Sequence, residues 1–170
     1  LAESWSKSLD GKTWTIKLKN NLKWSDGTLM TASQIVKSLL VSKKGTSHTD
    51  LSNIIEDISK IDDNTIVFKL NRSLPQFLES LTYSDWSIMH PDSIEENDGH
   101  DSIKEFKIFS GPYTISSPEL ENKVVKELKL NLNQHYSNSK NIRVKNGKIY
   151  SFEHCEELLK NIEHIASFRL

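Results

Sequence analysis

Cysteine and long apolar runs are nearly absent from this sequence. Its 170 residues include one cysteine, Cys155. A single cysteine excludes an internal disulfide framework and any metal site built from several thiolates, and it leaves the redox compartment open. No apolar run approaches the roughly 18 residues that cross a bilayer, and no basic segment precedes an apolar core as in a secretory leader. The sequence therefore predicts neither a membrane helix nor a leader within these residues.

An excess of charge of either sign is also missing. The chain has 22 Lys and Arg, 23 Asp and Glu, and a net charge of -1. This balance indicates no basic surface for nucleic acid or for an anionic membrane. Leu, Ile, Val and Phe make up 47 of the 170 residues, well above the roughly 20% below which disorder is expected. Length and composition predict one folded domain, and the start at Leu1 instead of Met indicates a processed product or a piece of a longer chain.

Side chains that would support catalysis do not occur together in a recognisable pattern. Six histidines are present, but no pair has the i, i+4 spacing of a helical zinc site, and His154 and His164 point about 80° apart on one predicted helix. His154 and Cys155 are adjacent and so face different directions, and there is no glycine-rich phosphate loop. We therefore expect no catalytic residues, no metal site and no cofactor, and interpret the histidines as surface residues. The contrary hypothesis is an enzyme that uses Cys155 and His154.

Alternation of apolar and polar residues predicts antiparallel strands. Residues 13–19 alternate strictly, as in a half-buried strand. Residues 62–64 predict the turn of a hairpin, and residues 118–123 are expected to join two further arms. Asn146-Gly147 is the strongest short hairpin signal in the chain.

Helix signals are interspersed with these strands. Thr31 and Gln34 have the spacing of a capping box and predict a helix that runs to about Lys43. Residues 73–76 combine a hydroxyl cap with an early proline and predict a second helix, and a last helix is predicted to begin at Ser151. The apolar stripe of that last helix is Phe152, Cys155, Leu159, Ile162 and Ala166. We predict an α+β fold with a largely antiparallel or mixed sheet and three to four helices.

Aromatic side chains are the best candidates for a binding site. Trp24 and Trp86 suit either a core or the wall of a ligand site, and core packing is favoured for both. Tyr83 lies in a polar stretch after the second predicted helix, where a ligand can reach it. A surface tyrosine that binds nothing is an equally good interpretation of this residue.

Short motifs follow one another along residues 1–136 in a specific order. The first group is Leu1-Ala2-Glu3-Ser4-Trp5, Asp10-Gly11-Lys12-Thr13-Trp14-Thr15-Ile16-Lys17-Leu18-Lys19, Leu22-Lys23-Trp24-Ser25-Asp26-Gly27-Thr28 and Thr31-Ala32. The second group is Ile61-Asp62-Asp63-Asn64-Thr65-Ile66, Leu74-Pro75-Gln76-Phe77-Leu78, Gly111-Pro112-Tyr113 and Asn133-Gln134-His135-Tyr136. This collinear set resembles the family-5 extracellular solute-binding proteins, the oligopeptide, dipeptide and nickel receptors of ABC importers. Leu29 and Ser137 depart from the family, which has proline and tryptophan at these positions.

The resemblance implies an architecture. Family members are longer, three-lobed proteins with a fold of the type II periplasmic-binding-protein kind, and residues 1–136 correspond mainly to their smaller middle lobe. Residues 137–170 read as a hairpin plus a C-terminal helix and stay unassigned. In peptide-binding members the middle lobe makes only peripheral ligand contacts. Carried over to this sequence, these contacts fall at His48, Tyr83 and Trp86, while the turn at residues 24–27 is expected to be structural.

The resemblance also implies a role. It predicts the substrate-binding component of an ABC importer, with an oligopeptide as the solute, reversible binding without catalysis, and membrane permease subunits as partners. The expected protein is a monomer located in the periplasm or outside the cell, with or without a lipid anchor, and nucleic acid is not a partner. Two alternatives stay open: a receptor for another solute such as nickel or its chelates, and the ligand-sensing lobe of a regulator.

Overall fold

Two compact units make up the chain. The computed structural model describes residues 1–45, 49–95, 102–103, 107–116, 119–121 and 124–150. The first unit comprises Leu1–Pro112 and Asn133–Ser139, and the second comprises Tyr113–Leu132 and Lys140–Leu170. The predicted helix after Ser151, together with His48 and Cys155, lies outside the described residues.

A four-stranded antiparallel sheet forms the centre of the first unit. Its strands are β1 (Ala2–Lys7), β2 (Thr13–Leu18), β3 (Ile55–Asp62) and β4 (Thr65–Leu70), in the spatial order β1-β2-β4-β3. The strand predicted at residues 13–19 and the hairpin predicted at residues 62–64 are both confirmed, because β2 has the expected alternation and β3 pairs with β4 across that turn.

The register of this sheet places three buried apolar side chains in one row. Trp14 of β2 lies opposite Phe68 of β4, which in turn lies opposite Ile58 of β3. Residues directly opposite one another on antiparallel strands share a face of the sheet. All three side chains are buried, and each contributes about 1.5–3 kcal/mol through the apolar surface it removes from water.

Helix α1 (Ala32–Gly45) covers this apolar face. The capping box predicted at its start is confirmed: the Thr31 N–H donates to Gln34 Oε1 over 3.0 Å, and the Gln34 N–H donates to Thr31 Oγ1 over 3.4 Å. Ile35 and Leu39 are buried on one side of the helix, as its sequence pattern predicts. A second helix, α2 (Thr49–Ile54), leads directly into β3.

The second predicted helix is shorter than its sequence signals suggest. It forms as the single turn α3 (Phe77–Ser80), and no side chain caps its N-terminus. Phe77 is fully buried and its ring centroid lies 5.5 Å from that of Trp14 and 5.0 Å from that of Phe68. Burial of this one aromatic ring therefore holds the short helix against the sheet. Two 3₁₀ turns follow, Ser84–Trp86 and Pro91–Ser93, and then the two-residue strands β5 (Ile94–Glu95) and β6 (Ser102–Ile103).

The second unit contains a separate antiparallel sheet. Strands β7 (Tyr113–Ile115), β8 (Glu119–Glu121) and β10 (Asn146–Tyr150) all pair with the long strand β9 (Val124–Leu132). The hairpin of β7 and β9 confirms the pairing of arms predicted around residues 118–123. The α+β class with antiparallel sheets is confirmed for the described part of the chain.

The hairpin turn predicted at Asn146-Gly147 is wrong. These residues begin β10, where Asn146 lies opposite Asn131 and Gly147 lies opposite Leu130. Their local turn preference is overridden because β9 offers a long edge with which the segment can pair. None of the helices among the described residues is long and apolar enough to cross a membrane.

Candidate functional site

A tight turn at residues 24–27 is closed by backbone and side-chain hydrogen bonds. The Gly27 N–H donates to the Trp24 carbonyl over 3.0 Å, and the Trp24 N–H donates to the Thr28 carbonyl over 2.9 Å. The backbone N–H and the hydroxyl of Thr28 both donate to Asp26 Oδ1, over 2.9 and 2.7 Å. These hydrogen bonds, first the one from the hydroxyl, hold the pKa of the Asp26 carboxyl below its ordinary value because they stabilise the charged form.

The Trp24 side chain connects this turn to helix α1. It is fully buried, and its Nε1 donates to Gln34 Oε1 over 3.1 Å. The same oxygen accepts the Thr31 N–H of the capping box, so one amide oxygen joins the turn to the N-terminus of α1. The sequence interpretation of Trp24 as a packing residue and of residues 24–27 as a structural turn agrees with this geometry.

His90 is buried beside Trp24, which corrects the expectation that the histidines lie on the surface. Its ring centroid lies 4.8 Å from that of Trp24 in an edge-to-face arrangement. Its Nδ1 accepts the Asp92 N–H over 3.2 Å and so caps the 3₁₀ turn Pro91–Ser93. The proline that follows His90 is the only sequence feature that indicates this capping role. The contact with Trp24 cannot be read from the local sequence, because Trp24 lies 66 positions earlier.

Asn133 is the first residue of the second segment of the first unit, and its hydrogen bonds connect this segment to residues 111–112. Its side chain is buried, its Nδ2 donates to the Gly111 carbonyl over 2.9 Å, and its Oδ1 accepts the His135 N–H over 2.9 Å. Its backbone N–H donates to the Pro112 carbonyl over 2.8 Å. Three hydrogen bonds from one residue therefore hold the 111–112 and 133–135 segments together, and sequence analysis missed this role.

Phe109 and His135, which lie beside or within the segments held by Asn133, both contact the turn at residues 24–27. The Ser25 N–H donates to the Phe109 carbonyl over 3.0 Å, and the Phe109 N–H donates back to Ser25 Oγ over 2.9 Å. The ring of His135 lies against Gly27, with its Cε1 3.1 Å from where a β-carbon would be. Gly27 has φ = +89°, a conformation that residues with a side chain rarely adopt.

Replacing Gly27 by alanine is expected to lower the free energy of unfolding by about 1–3 kcal/mol, because the new methyl group strains the backbone and presses on His135. Denaturant unfolding followed by circular dichroism measures this loss. Gly45→Ala is the matched control, since nothing lies within 4 Å of its β-carbon position, and it should change stability by less than about 0.5 kcal/mol. A loss equal to that of the control would contradict the strained turn. Adding His135→Ala separates the contact from the backbone strain.

Tyr83 and Trp86 lie on one short turn but differ sharply in exposure. The Tyr83 side chain is 65% exposed, whereas that of Trp86 is 3% exposed and belongs to the core of the first unit. The Trp86 N–H donates to the Tyr83 carbonyl over 3.0 Å and closes the 3₁₀ turn Ser84–Trp86. A buried indole thus holds a turn that presents an exposed phenol. The third candidate residue, His48, lies outside the described residues.

The chemistry available to these residues is that of contact and positioning. Among the residues that the structure describes, no three His, Cys, Asp or Glu side chains form a group that could hold a metal ion. Tyr83 can stack on an apolar group and exchange a hydrogen bond through its hydroxyl. The geometry suits reversible contact with a ligand at an exposed turn.

Comparison with known proteins identifies related chains. The family model described as "Bacterial extracellular solute-binding proteins, family 5 Middle" matches residues 1–152. The probable D,D-dipeptide-binding periplasmic protein DdpA of Escherichia coli K12 is 31% identical over 146 residues, which are 82% of this chain and 27% of DdpA.

Solved structures give the same relationship at the level of the fold. A periplasmic oligopeptide-binding protein of Borrelia burgdorferi superposes with a TM-score of 0.79 at 23% identity, over 96% of this chain and 36% of that one. NikZ of Campylobacter jejuni, solved in complex with Ni(L-His), superposes with a TM-score of 0.77 at 20% identity, over 96% and 32%. The chain thus spans between a quarter and just over a third of the length of these relatives.

Proposed function

Because this chain belongs to family 5 of the bacterial extracellular solute-binding proteins, we propose that it is the middle lobe of the substrate-binding component of an ABC importer for oligopeptides. The observation that carries the proposal is the match of the family model to residues 1–152. Membership of an extracellular family supports a location in the periplasm or outside the cell. A lipid anchor, a monomeric state and the permease subunits of the importer as partners are further parts of the proposal.

The choice of a peptide as the solute has support from the named relatives and from the exposed turn. DdpA is named for a D,D-dipeptide, and the Borrelia protein for oligopeptides. Tyr83 offers an aromatic face and a hydroxyl, which together suit a peptide side chain and a backbone amide. Trp86 is buried and would act on the ligand through the turn that it holds. His48 completes the set of peripheral contacts carried over from the resemblance.

Binding by this lobe alone is expected to be weak. Ligand sites in proteins usually enclose 70–90% or more of a small ligand, and an exposed turn covers far less than that. A single exposed aromatic contact contributes about 1 kcal/mol, so the expected dissociation constant of the chain for a short peptide is about 1 mM or weaker. The chain performs no covalent chemistry in this proposal; it contributes contacts to a reversible binding site.

Titration of the isotope-labelled chain with tetra-alanine, followed by NMR, tests the proposal. The largest shift changes should fall at residues 82–86, and Tyr83→Ala should weaken binding by about twofold to fivefold. Leu29→Ala is the control, because Leu29 is also an exposed apolar residue but is remote in sequence from Tyr83. Shift changes elsewhere, or equal effects of the two variants, would reject Tyr83 as a contact. Micromolar or tighter binding would reject a peripheral lobe.

A nickel–histidine complex is the second candidate solute, because NikZ has the same fold and was solved with Ni(L-His). Titration with Ni(II) and L-histidine under the same conditions distinguishes it. Shift changes at residues 82–86 with nickel–histidine but not with tetra-alanine would replace the peptide by a metal chelate.

A further inference from the structure

His90 is a titratable side chain in the interior of the first unit. It is 7% exposed, and its ring packs edge-to-face on Trp24. The structure describes two histidines, His90 and His135, and of these two only His90 is buried. The charge of a histidine changes between about pH 5 and pH 8. The core of this unit therefore contains a group that responds to a mild change of pH.

The contact that His90 makes requires its neutral form. Its Nδ1 accepts the Asp92 N–H over 3.2 Å and so caps the 3₁₀ turn Pro91–Ser93. A ring nitrogen accepts a hydrogen bond through its lone pair, whereas both nitrogens of a protonated ring carry a hydrogen and only donate. Protonation on Nδ1 therefore removes the cap of this turn and sets one N–H against another.

Two carboxylates face the place where this positive charge develops. The exposed carboxylate of Asp92 has its Oδ2 3.7 Å from His90 Nδ1. Asp26 belongs to the turn at residues 24–27: hydrogen bonds from the Thr28 hydroxyl and N–H lower the pKa of its carboxyl, and the charge of His90 lowers it further. The buried residues of α1, which packs against the Pro91–Ser93 turn, are all uncharged, and the exposed ring of His135 lies against the turn at residues 24–27. The nearest partner for a protonated His90 is thus the Asp92 side chain.

The segment around His90 is attached to the rest of the first unit by single contacts. The Met89 N–H donates to the buried Ser38 Oγ of α1 over 2.8 Å. The Ser110 hydroxyl donates to the Ile88 carbonyl over 3.0 Å. Met89 and Ile94 belong to a small apolar cluster that is separate from the main core. A segment held in this way opens locally at a lower cost than the core does, so a change at His90 is expected to loosen it.

We propose that His90 is a proton-operated switch. When Nδ1 takes up a proton from water, it exchanges the Asp92 N–H for the Asp92 carboxylate, and the Pro91–Ser93 turn loosens from Trp24 and from α1. No covalent bond to carbon is formed or broken. The neutral ring closes the segment, and the protonated ring opens it. The segment directly follows the turn that presents Tyr83, so acid also weakens the support of that turn.

NMR of the isotope-labelled chain between pH 5 and pH 8 tests the switch. The His90 ring resonances and the Asp92 N–H resonance should move with one common midpoint in this range. After correction for the intrinsic exchange rate, the protection of the Met89 N–H against hydrogen exchange should fall at least about threefold from pH 7.5 to pH 5.5. An Asp92 N–H that moves only near pH 4, where carboxylates titrate, would overturn the proposal. Constant protection of Met89 would also overturn it.

Three variants separate the proton from the packing of the ring. His90→Asn supplies an oxygen that caps the turn and does not titrate, so the protection of Met89 should become independent of pH. His90→Phe keeps a ring without an acceptor, and its protection should be low at both pH values. His135→Asn removes the exposed histidine and should leave the response of the parent chain intact. A response that persists in His90→Asn or disappears in His135→Asn contradicts the switch, and the titration of the unaltered chain decides the question if a variant does not fold.

Discussion

Replacing Trp24 by alanine is expected to lower the free energy of unfolding of the first unit by about 3–5 kcal/mol. The indole is fully buried, donates to Gln34 and packs edge-to-face with His90. Its removal leaves a cavity, deletes an aromatic pair and separates the turn at residues 24–27 from the start of α1. Domains of this size are stable by only about 5–15 kcal/mol, so the variant should melt well below the parent chain.

Trp5→Ala is the matched control for this measurement. Trp5 is 59% exposed on the edge strand β1, and its replacement should change the free energy of unfolding by less than about 1 kcal/mol. Urea unfolding followed by far-ultraviolet circular dichroism compares the two variants without relying on tryptophan fluorescence. A loss below about 1.5 kcal/mol for Trp24→Ala would mean that the turn is not an essential part of the core.

The second large effect is expected from Asn133→Asp, which should cost about 3 kcal/mol or more at neutral pH. The substitution preserves the shape of the side chain but replaces the Nδ2 donor, which is bonded to the Gly111 carbonyl, by an oxygen. Two acceptors then face one another, and the buried charge is left with the His135 N–H as the donor to this side chain. Both changes weaken the contact between the 111–112 and 133–135 segments.

The pH dependence of this variant identifies the buried charge as the cause. Burial raises the pKa of a carboxyl group, and the protonated form can donate to the Gly111 carbonyl again. The stability difference between Asn133→Asp and the parent chain should therefore shrink as the pH is lowered from 7 to about 4.5, both proteins being measured at each pH. Asn131→Asp, at an exposed position, is the control and should show little loss at either pH. A pH-independent loss would assign the effect to packing.

Much of the architecture was accessible from the sequence because its signals are local. Strict alternation predicted β2, and the 62–64 turn predicted the pairing of β3 with β4. The Thr31–Gln34 capping box predicted where α1 begins, and both of its hydrogen bonds are present. In each case the residues that interact are close in sequence, so the backbone conformation is decided by near neighbours.

The failed predictions share the opposite property. Asn146-Gly147 has a strong turn preference, but pairing with β9 decides its conformation. His90 was expected on the surface and is buried beside Trp24. Asn133 carries no local motif that indicates three hydrogen bonds to segments on either side of the second sheet's hairpin. Apart from the Asn133–His135 hydrogen bond, these contacts join residues far apart in the chain, and their energies depend on burial that the sequence does not display.

The candidate site also combines features that the sequence indicates with features that only tertiary packing decides. The motifs of residues 1–136 were sufficient to place the chain in its family, and they indicated Tyr83 as an accessible aromatic residue. The sequence favoured core packing for Trp86 without deciding it, and the tertiary structure buries Trp86 while Tyr83, three residues earlier on the same turn, is exposed. Sequence thus determined β2, the β3–β4 hairpin, the start of the first helix and the family, where short-range preferences suffice. Tertiary packing decided which polar and aromatic side chains are buried, since burial depends on partners that come together only when the chain has folded.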